Sequence, residues 1–478
     1  MTLSKWAILS VAATLAGCST LSPEAARKSA EALYSARSGV PAGAGIPQNS
    51  AASMEGVLAT LTAKPLDSDS SVRVALLHSV RVQSIYAQLG FARADLYDAT
   101  RLSNPVLGYV RLTGGDAPPK TDWSLSQNFT ELLFLRFRRN SAESGMQLAE
   151  QRVARELMEL EADVRTAYYR YAASNMILMM RERVARTTQV SATYAQQLFE
   201  AGNITALQRA RLQEAADLAK SDQLRAFSTK TLHRNALLTL LGYASNDAAP
   251  QITGQLSIPA SISPEASGLK SWALANRLDL LSAREALRFA GVVSTHARRW
   301  RLLGDTTVGI AVEREGNTAA QRPTTASGPS ASLSLPLFNQ GGSSVTRTRA
   351  TVDTLQANVQ ALEIGIGNDV ETSVLALGAA RETVDLFRQK LLPTQRAIVD
   401  ESQKQQNYML VGTFELLAAR QHQYEGYEGY IDALRDYWIA VVDLGRATGG
   451  RLPDTAPVDN SSFVEPLAGT DPTFGDRP

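Results

Sequence analysis

The residues of this chain that could do chemistry are few and scattered. Among 478 residues there is one cysteine, Cys18, and four histidines, His78, His233, His296 and His422, far apart in sequence. No two histidines sit at a metal-ligand spacing, and no phosphate loop, nucleophile elbow or zinc signature occurs. No catalytic residue, cofactor or structural metal is therefore expected, and the chain reads as a non-enzyme. Met176, Met179 and Met180 group three thioethers. Such ligands suit soft cations such as Cu(I), and the same stripe at helical spacing serves helix packing. Cys18 closes Leu15-Ala16-Gly17-Cys18, after Lys5 and an apolar run from Trp6 to Leu15. A basic start, an apolar run and small residues before a break make residues 1–17 a secretory signal peptide. With a single thiol, no disulfide forms within the chain.

Charge narrows the partners. The 48 basic and 47 acidic residues are interspersed and give a net charge of +1, without the basic stripe that a nucleic acid requires. After the signal segment no run of 18 apolar residues occurs, so any membrane crossing must use β-strands.

Two stretches have the strand pattern. Residues 106–112 look extended and lead through Thr113-Gly114-Gly115 and Pro118-Pro119 into a return in which Trp123, Leu125 and Phe129 alternate with polar residues. Further on, Val308, Ile310 and Val312 alternate with Thr307, Gly309, Ala311 and Glu313. The returning stretch alternates Ala331, Leu333, Leu335 and Leu337 with Ser330, Ser332, Ser334 and Pro336. The hairpins predicted over 104–130 and 305–339 fit tilted membrane strands, with a polar row toward water; a soluble sheet edge shows the same alternation.

Long helices must hold these hairpins. From about 139 to 201, Val153, Leu157, Leu160, Val164, Ala167 and Tyr171 step by three and four, a coiled-coil seam on a helix of ~90 Å. Tyr424, Tyr427, Ile431, Leu434, Trp438 and Val441 repeat that step near the end. The division predicted is a tether over 18–70, a first repeat over 71–242, a connecting segment over 243–269, a second repeat over 270–450 and a tail over 451–478. LSQNF at 125–129 overlays LSLPLF at 333–338, Arg138 overlays Arg347, and Ala201-Gly202-Asn203 overlays Val411-Gly412-Thr413. The offset of about 208 to 210 marks an internal duplication. Gly202 and Gly412 are read as paired helix-to-helix turns in which glycine takes positive φ, or as two ordinary caps.

Two resemblances follow. Cysteine directly after a small pair is similar to the bacterial lipobox, which implies cleavage before Cys18, acylation of its thiol and lipid anchoring. Ser19 in place of aspartate favours the outer membrane. The mature chain resembles the TolC-like outer-membrane efflux proteins through ADLYDATRLSNPVLGY, LSQNF, YAQQLFEAGNITALQRARL, LLTLLGY, NRLDLLSAREALRFA, LSLPLF, NYMLVGTFELLAARQ and DLGRATGG, in that order. PLFNQGG is similar to the heavy-metal branch, while drug-efflux and protein-secretion ducts share the same frame.

That resemblance implies a mainly α fold with a membrane β-barrel portion. It implies a homotrimer sharing a twelve-stranded barrel in the outer membrane, joined to an α-helical periplasmic barrel. A periplasmic adaptor (membrane fusion protein) and an inner-membrane pump are the implied partners, and the duct is passive. In the family, carboxylates and ion pairs just past the second tip glycine close the tunnel. Here those positions are Ala418 and Gln421, leaving Glu415 either as a threefold anionic ring or as a solvated first-turn acid. The basic aromatic clusters Phe134, Arg136, Phe137, Arg138, Arg139 and Arg298, Arg299, Trp300, Arg301 are interfacial anchors or solvated helix ends. The other reading of the chain is a lipid-anchored periplasmic coiled-coil scaffold or adaptor without a pore.

Overall fold

The computed structural model describes residues 24–41, 51–114, 118–244, 249–258, 266–316 and 323–450. The chain is mainly helical, with one sheet. In order it forms α1 (Glu24–Ser38), α2 (Ala51–Thr62), α3 (Ser68–His78), α4 (Val80–Ala99), β1 (Val106–Leu112), β2 (Lys120–Asn128) and α5 (Phe129–Glu200). There follow α6 (Ala206–Leu241), α7 (Ala266–Asn276), α8 (Leu278–Arg299), β3 (Thr306–Glu315) and β4 (Thr324–Leu333). The last helices are α9 (Gly342–Leu386), a π turn (Phe387–Leu391), α10 (Leu392–Asn407) and α11 (Thr413–Thr448). Each half thus runs helix, two strands, long helix, turn, helix.

Two compact units emerge, one built, among the described residues, from 24–30, 86–153 and 279–361, the other from 31–85, 154–278 and 362–450. In the first, the strands form a single antiparallel sheet in the order β1-β2-β3-β4. The two hairpins are joined because β2 pairs with β3, Leu125 opposite Ile310 and Trp123 opposite Val312. β2 passes into α5 without a loop. The Asn128 side chain accepts from the Glu131 backbone N–H at 3.2 Å, a capping bond that starts the helix. Phe129, read as the last residue of the apolar strand row, therefore belongs to the helix, which begins about ten residues earlier than the seam indicated. Leu335 and Leu337 also leave the strand assigned to them, since β4 ends at Leu333.

In the second unit the seams are buried. Val153 of the first unit's margin and Leu157, Leu160 and Val164 are fully enclosed, as are Leu434 and Trp438. At the next step Tyr168 is buried while Ala167 is only half-buried. The second long helix is interrupted by the π turn. Pro393 stands two residues past its end, and a proline inside a helix leaves one carbonyl unpaired, which a widened turn accommodates.

The tether reading of 18–70 needs correction within the described residues. Ala26, Ala30 and Tyr34, four apart, share one buried face of α1. The Tyr34 hydroxyl donates to Glu161 at 2.7 Å, and Arg165 binds both Glu161 at 3.0 Å and Asp69 at 2.7 Å. Burial and the Glu161 charge push the Tyr34 hydroxyl pKa far up, so it stays a donor. The Ala, Glu, Arg, Lys and Leu of this segment favour a helix by propensity as well, and its packing holds that helix against the rest of the chain.

Candidate functional site

The sheet has two chemically distinct faces. On one, the paired rows Leu107, Leu125, Ile310 and Tyr109, Trp123, Val312 run across the strands, and most of these side chains are exposed. Arg111 and Arg314 stand with Thr121 at the margin nearest the hairpin turns. The opposite face carries Ser126, Gly309 and Ser330, then Ser124, Ala311 and Gly328, then Asp122 with Glu313. Lys120 meets Glu313 there at 2.5 Å. β1 departs from this polar row, placing Val106, Val110 and Leu112 on it. In the sheet, β1 and β4 each have one edge without a strand partner among the described residues. Four strands cannot close on themselves, so an apolar face and two free edges call for further copies if the sheet meets lipid.

The two helix-to-helix turns in the second unit have the same hydrogen bonds. After α5, the Gly202 N–H donates to Phe199 O at 2.9 Å and the Asn203 N–H to Leu198 O at 2.8 Å. After α10, the Met409 N–H donates to Gln406 O at 2.8 Å and the Leu410 N–H to Gln405 O at 2.9 Å. Both are Schellman closures, which need a left-handed residue at the first position past the cap. Gly202 takes φ 75°, but its counterpart is Met409 at φ 63°, not Gly412. Gly412 has φ −80° and ψ 157° and caps α11, as Thr205 caps α6. The expectation of positive φ at Gly412 is thus overturned. The turns superpose with an offset of 207, because capping geometry, and not glycine content, sets which residues correspond. Arg211 lies over the Phe414 ring at 5.4 Å, so both turns occupy one end of this unit.

Met409 is the one non-glycine residue with positive φ among those described, and its side chain is 93% exposed. A left-handed L-residue costs roughly 1–2 kcal/mol. Met409→Gly is expected to raise stability by about 1 kcal/mol, whereas Gly202→Val should lower it by a similar amount; denaturant midpoints of the two variants check both signs.

Glu415 is exposed in the first turn of α11, its N–H donating to Gly412 O at 3.1 Å. Further along the same helices, Arg181 of α5 binds Asp222 of α6 at 3.3 Å and also Glu428 of α11, tying three helices together. Met176 and Met180 are sealed in the helix packing and only Met179 reaches the surface, so the three sulfurs do not line a common opening. No group of three metal-ligating side chains occurs among the described residues. Cys18 lies outside the described residues.

The basic aromatic clusters come together in the first unit. His296 of α8 stacks on Phe137 of α5 at 3.8 Å between centroids, and Phe134 packs edge-on to His296 at 4.7 Å and to Trp300 at 5.4 Å. His296 links the two clusters, and its four-residue spacing from Trp300 was the available sequence signal. Burial holds its imidazole pKa below the usual 6.5. The unfolded chain therefore takes up a proton that the folded ring resists. Stability should fall as pH drops below about 6.5 and be complete above it. His296→Phe should flatten that slope in pH-dependent denaturation, leaving the part due to His233, which burial shifts the same way.

No family profile and no curated protein sequence matches the chain. Solved structures do. A membrane protein from Pseudomonas aeruginosa superposes with a TM-score of 0.65 at 17% identity, over 80% of this chain and 92% of that one. The CmeC outer membrane channel of Campylobacter jejuni gives 0.64 at 15% identity, over 84% and 86%. The outer membrane protein VceC of Vibrio cholerae gives 0.64 at 14%, over 80% and 96%. The fold is therefore that of the TolC-like outer-membrane channels, as the ordered motifs implied. No helix among the described residues is long and apolar enough to cross a membrane.

Proposed function

We propose that this chain is the outer-membrane duct of a tripartite efflux system, with no enzymatic step of its own. Three copies join β1 of one sheet to β4 of the next, and twelve strands close a barrel whose apolar face meets lipid. The observation that carries this is a four-stranded sheet with free edges, one exposed apolar face and one Ser/Gly/Asp face, within an outer-membrane channel fold. Lipid on Cys18 anchors the mature chain in the same membrane. The helices enclose a hydrated periplasmic path, and its turns at Gly202 and Met409–Gly412 face a periplasmic adaptor and an inner-membrane pump. The pump supplies the energy, and the duct supplies a closable route. PLFNQGG supports a heavy-metal ion as the exported substrate.

Purified protein in planar bilayers decides between this duct and a lipid-anchored scaffold. Discrete conductance, with trimer migration that collapses only on heating, is expected of the duct. Absence of both would leave the scaffold. Glu415, on the exposed start of α11, is assigned to a threefold anionic ring at the closable end. Glu415→Gln is expected to lower cation preference, read as a shifted reversal potential in a salt gradient; an unchanged potential would remove the ring.

A further inference from the structure

The margin of the sheet where β2 enters α5 and α8 leads into β3 combines two kinds of unsatisfied surface. The first is basic. Arg136 on α5, Arg298 and Arg299 at the end of α8, and Arg301 just after it are all exposed. None of the four has an ion pair or side-chain hydrogen bond among the described residues. The neighbouring carboxylates do not serve them: Glu131 is taken by Arg138 at 3.4 Å and by the Ser103 N–H at 3.1 Å, and Glu143 is taken by Arg139 at 2.8 Å. The second is apolar. Trp300, Leu302, Leu335 and Leu337 are exposed, and Phe338 is 102% exposed.

These two surfaces are held side by side. The Ser334 N–H donates to Asp305 O at 2.9 Å, and the Thr306 N–H to the Thr130 hydroxyl at 2.8 Å. Trp300 is fixed against Phe134, which sets the helix end bearing Arg298 and Arg299 against α5. The segment after β4 therefore runs beside the segment before β3, with leucines and a phenylalanine next to the arginines.

We infer that this margin is a binding surface for the phosphate groups of anionic phospholipids in the membrane leaflet that the helical end of the sheet meets. Charge complementarity selects the occupant. Four guanidinium groups without carboxylate partners are suited to phosphate, which they bind through paired N–H donors. Exposed tryptophan, leucine and phenylalanine beside them match the glycerol and upper acyl region that lies directly under such phosphates. A soluble anion would use the arginines but leave the apolar side chains in water. The surface also adjoins the end of the sheet where β2 and β3 pair, at Asn128 and Thr307. The inference rests on the reading of that sheet as membrane-spanning.

The test is lipid selectivity in the assembled protein. Wild type and a variant with Arg136, Arg298, Arg299 and Arg301 all changed to Gln are reconstituted into vesicles of phosphatidylcholine, alone or mixed with phosphatidylglycerol. Conductance is recorded, and the lipid retained after detergent extraction is measured by native mass spectrometry. Wild type should retain phosphatidylglycerol over phosphatidylcholine, and the four-Gln variant should lose that preference by roughly tenfold or more while still conducting. The matching Arg→Lys variant keeps the charge and should recover part of the preference, which guards against a four-Gln variant that fails to assemble. Conducting wild type with no preference between the lipids, or an equal preference in wild type and the four-Gln variant, would overturn this inference alone. Failure of wild type to insert in either lipid would overturn the membrane-spanning reading with it.

Discussion

Arginine in place of Ile310 is expected to destabilise the membrane-inserted protein by about 2–4 kcal/mol, while arginine at the adjacent Ala311 has a mild effect. Ile310 lies mid-strand between Leu125 and Pro329, on the apolar face, and is 60% exposed. In the barrel proposed above this exposure becomes burial in lipid, where a guanidinium at mid-depth loses its hydration. Ala311 shares its row with Ser124 and Gly328 on the opposite face, where water is expected. Denaturant unfolding of vesicle-refolded protein measures the two costs, and Ala311→Arg should instead change conductance. Equal losses at both positions would mean that the faces are exchanged or that the sheet never enters a membrane. Leu335 is not the position for this experiment, because it stands beyond β4.

Trp438→Ala should cost about 3–5 kcal/mol, the range for deleting a large enclosed aromatic side chain. Trp438 is 1% exposed, its indole N–H donates to the Ser257 carbonyl at 3.0 Å, and its ring stacks on Tyr169 at 5.6 Å. Truncation removes the packing of α11 against α5 and strands the Ser257 carbonyl without its donor. Trp438→Phe separates these contributions: it keeps most of the packing and loses the hydrogen bond, so its cost should be near 1–2 kcal/mol. Unfolding followed by far-UV signal checks both variants. A loss at Trp438→Ala below about 1 kcal/mol would mean that the seam does not hold the helices together.

Local pattern was enough for much of the molecule. The three-and-four spacing from Val153 through Val164 marked the buried seam of α5, because helical period alone puts those side chains on one face. Alternation at Val308, Ile310 and Val312 against Gly309, Ala311 and Glu313 assigned the faces of β3 for the equivalent reason in a strand. The duplicated order of elements was legible too, since it needs only similarity between segments.

What depended on distant partners was not legible. The pairing of β2 with β3 joins residues nearly two hundred positions apart, and no local signal encodes which hairpin edges meet. The helix formers of Glu24–Ser38 were legible, but its docking was not, because Glu161, which meets Tyr34, lies far along the chain. His296 had no evident role until Phe134 and Phe137 were brought to it. The tip showed the same limit within a few residues. Composition singled out Gly412, but the left-handed position went to Met409, because the hydrogen bonds closing α10 set where the helix ends. A sequence read alone determined which faces are apolar and where turns must fall. Only the tertiary structure decided which faces meet and which residue takes the strain, because both depend on contacts made across long stretches of chain.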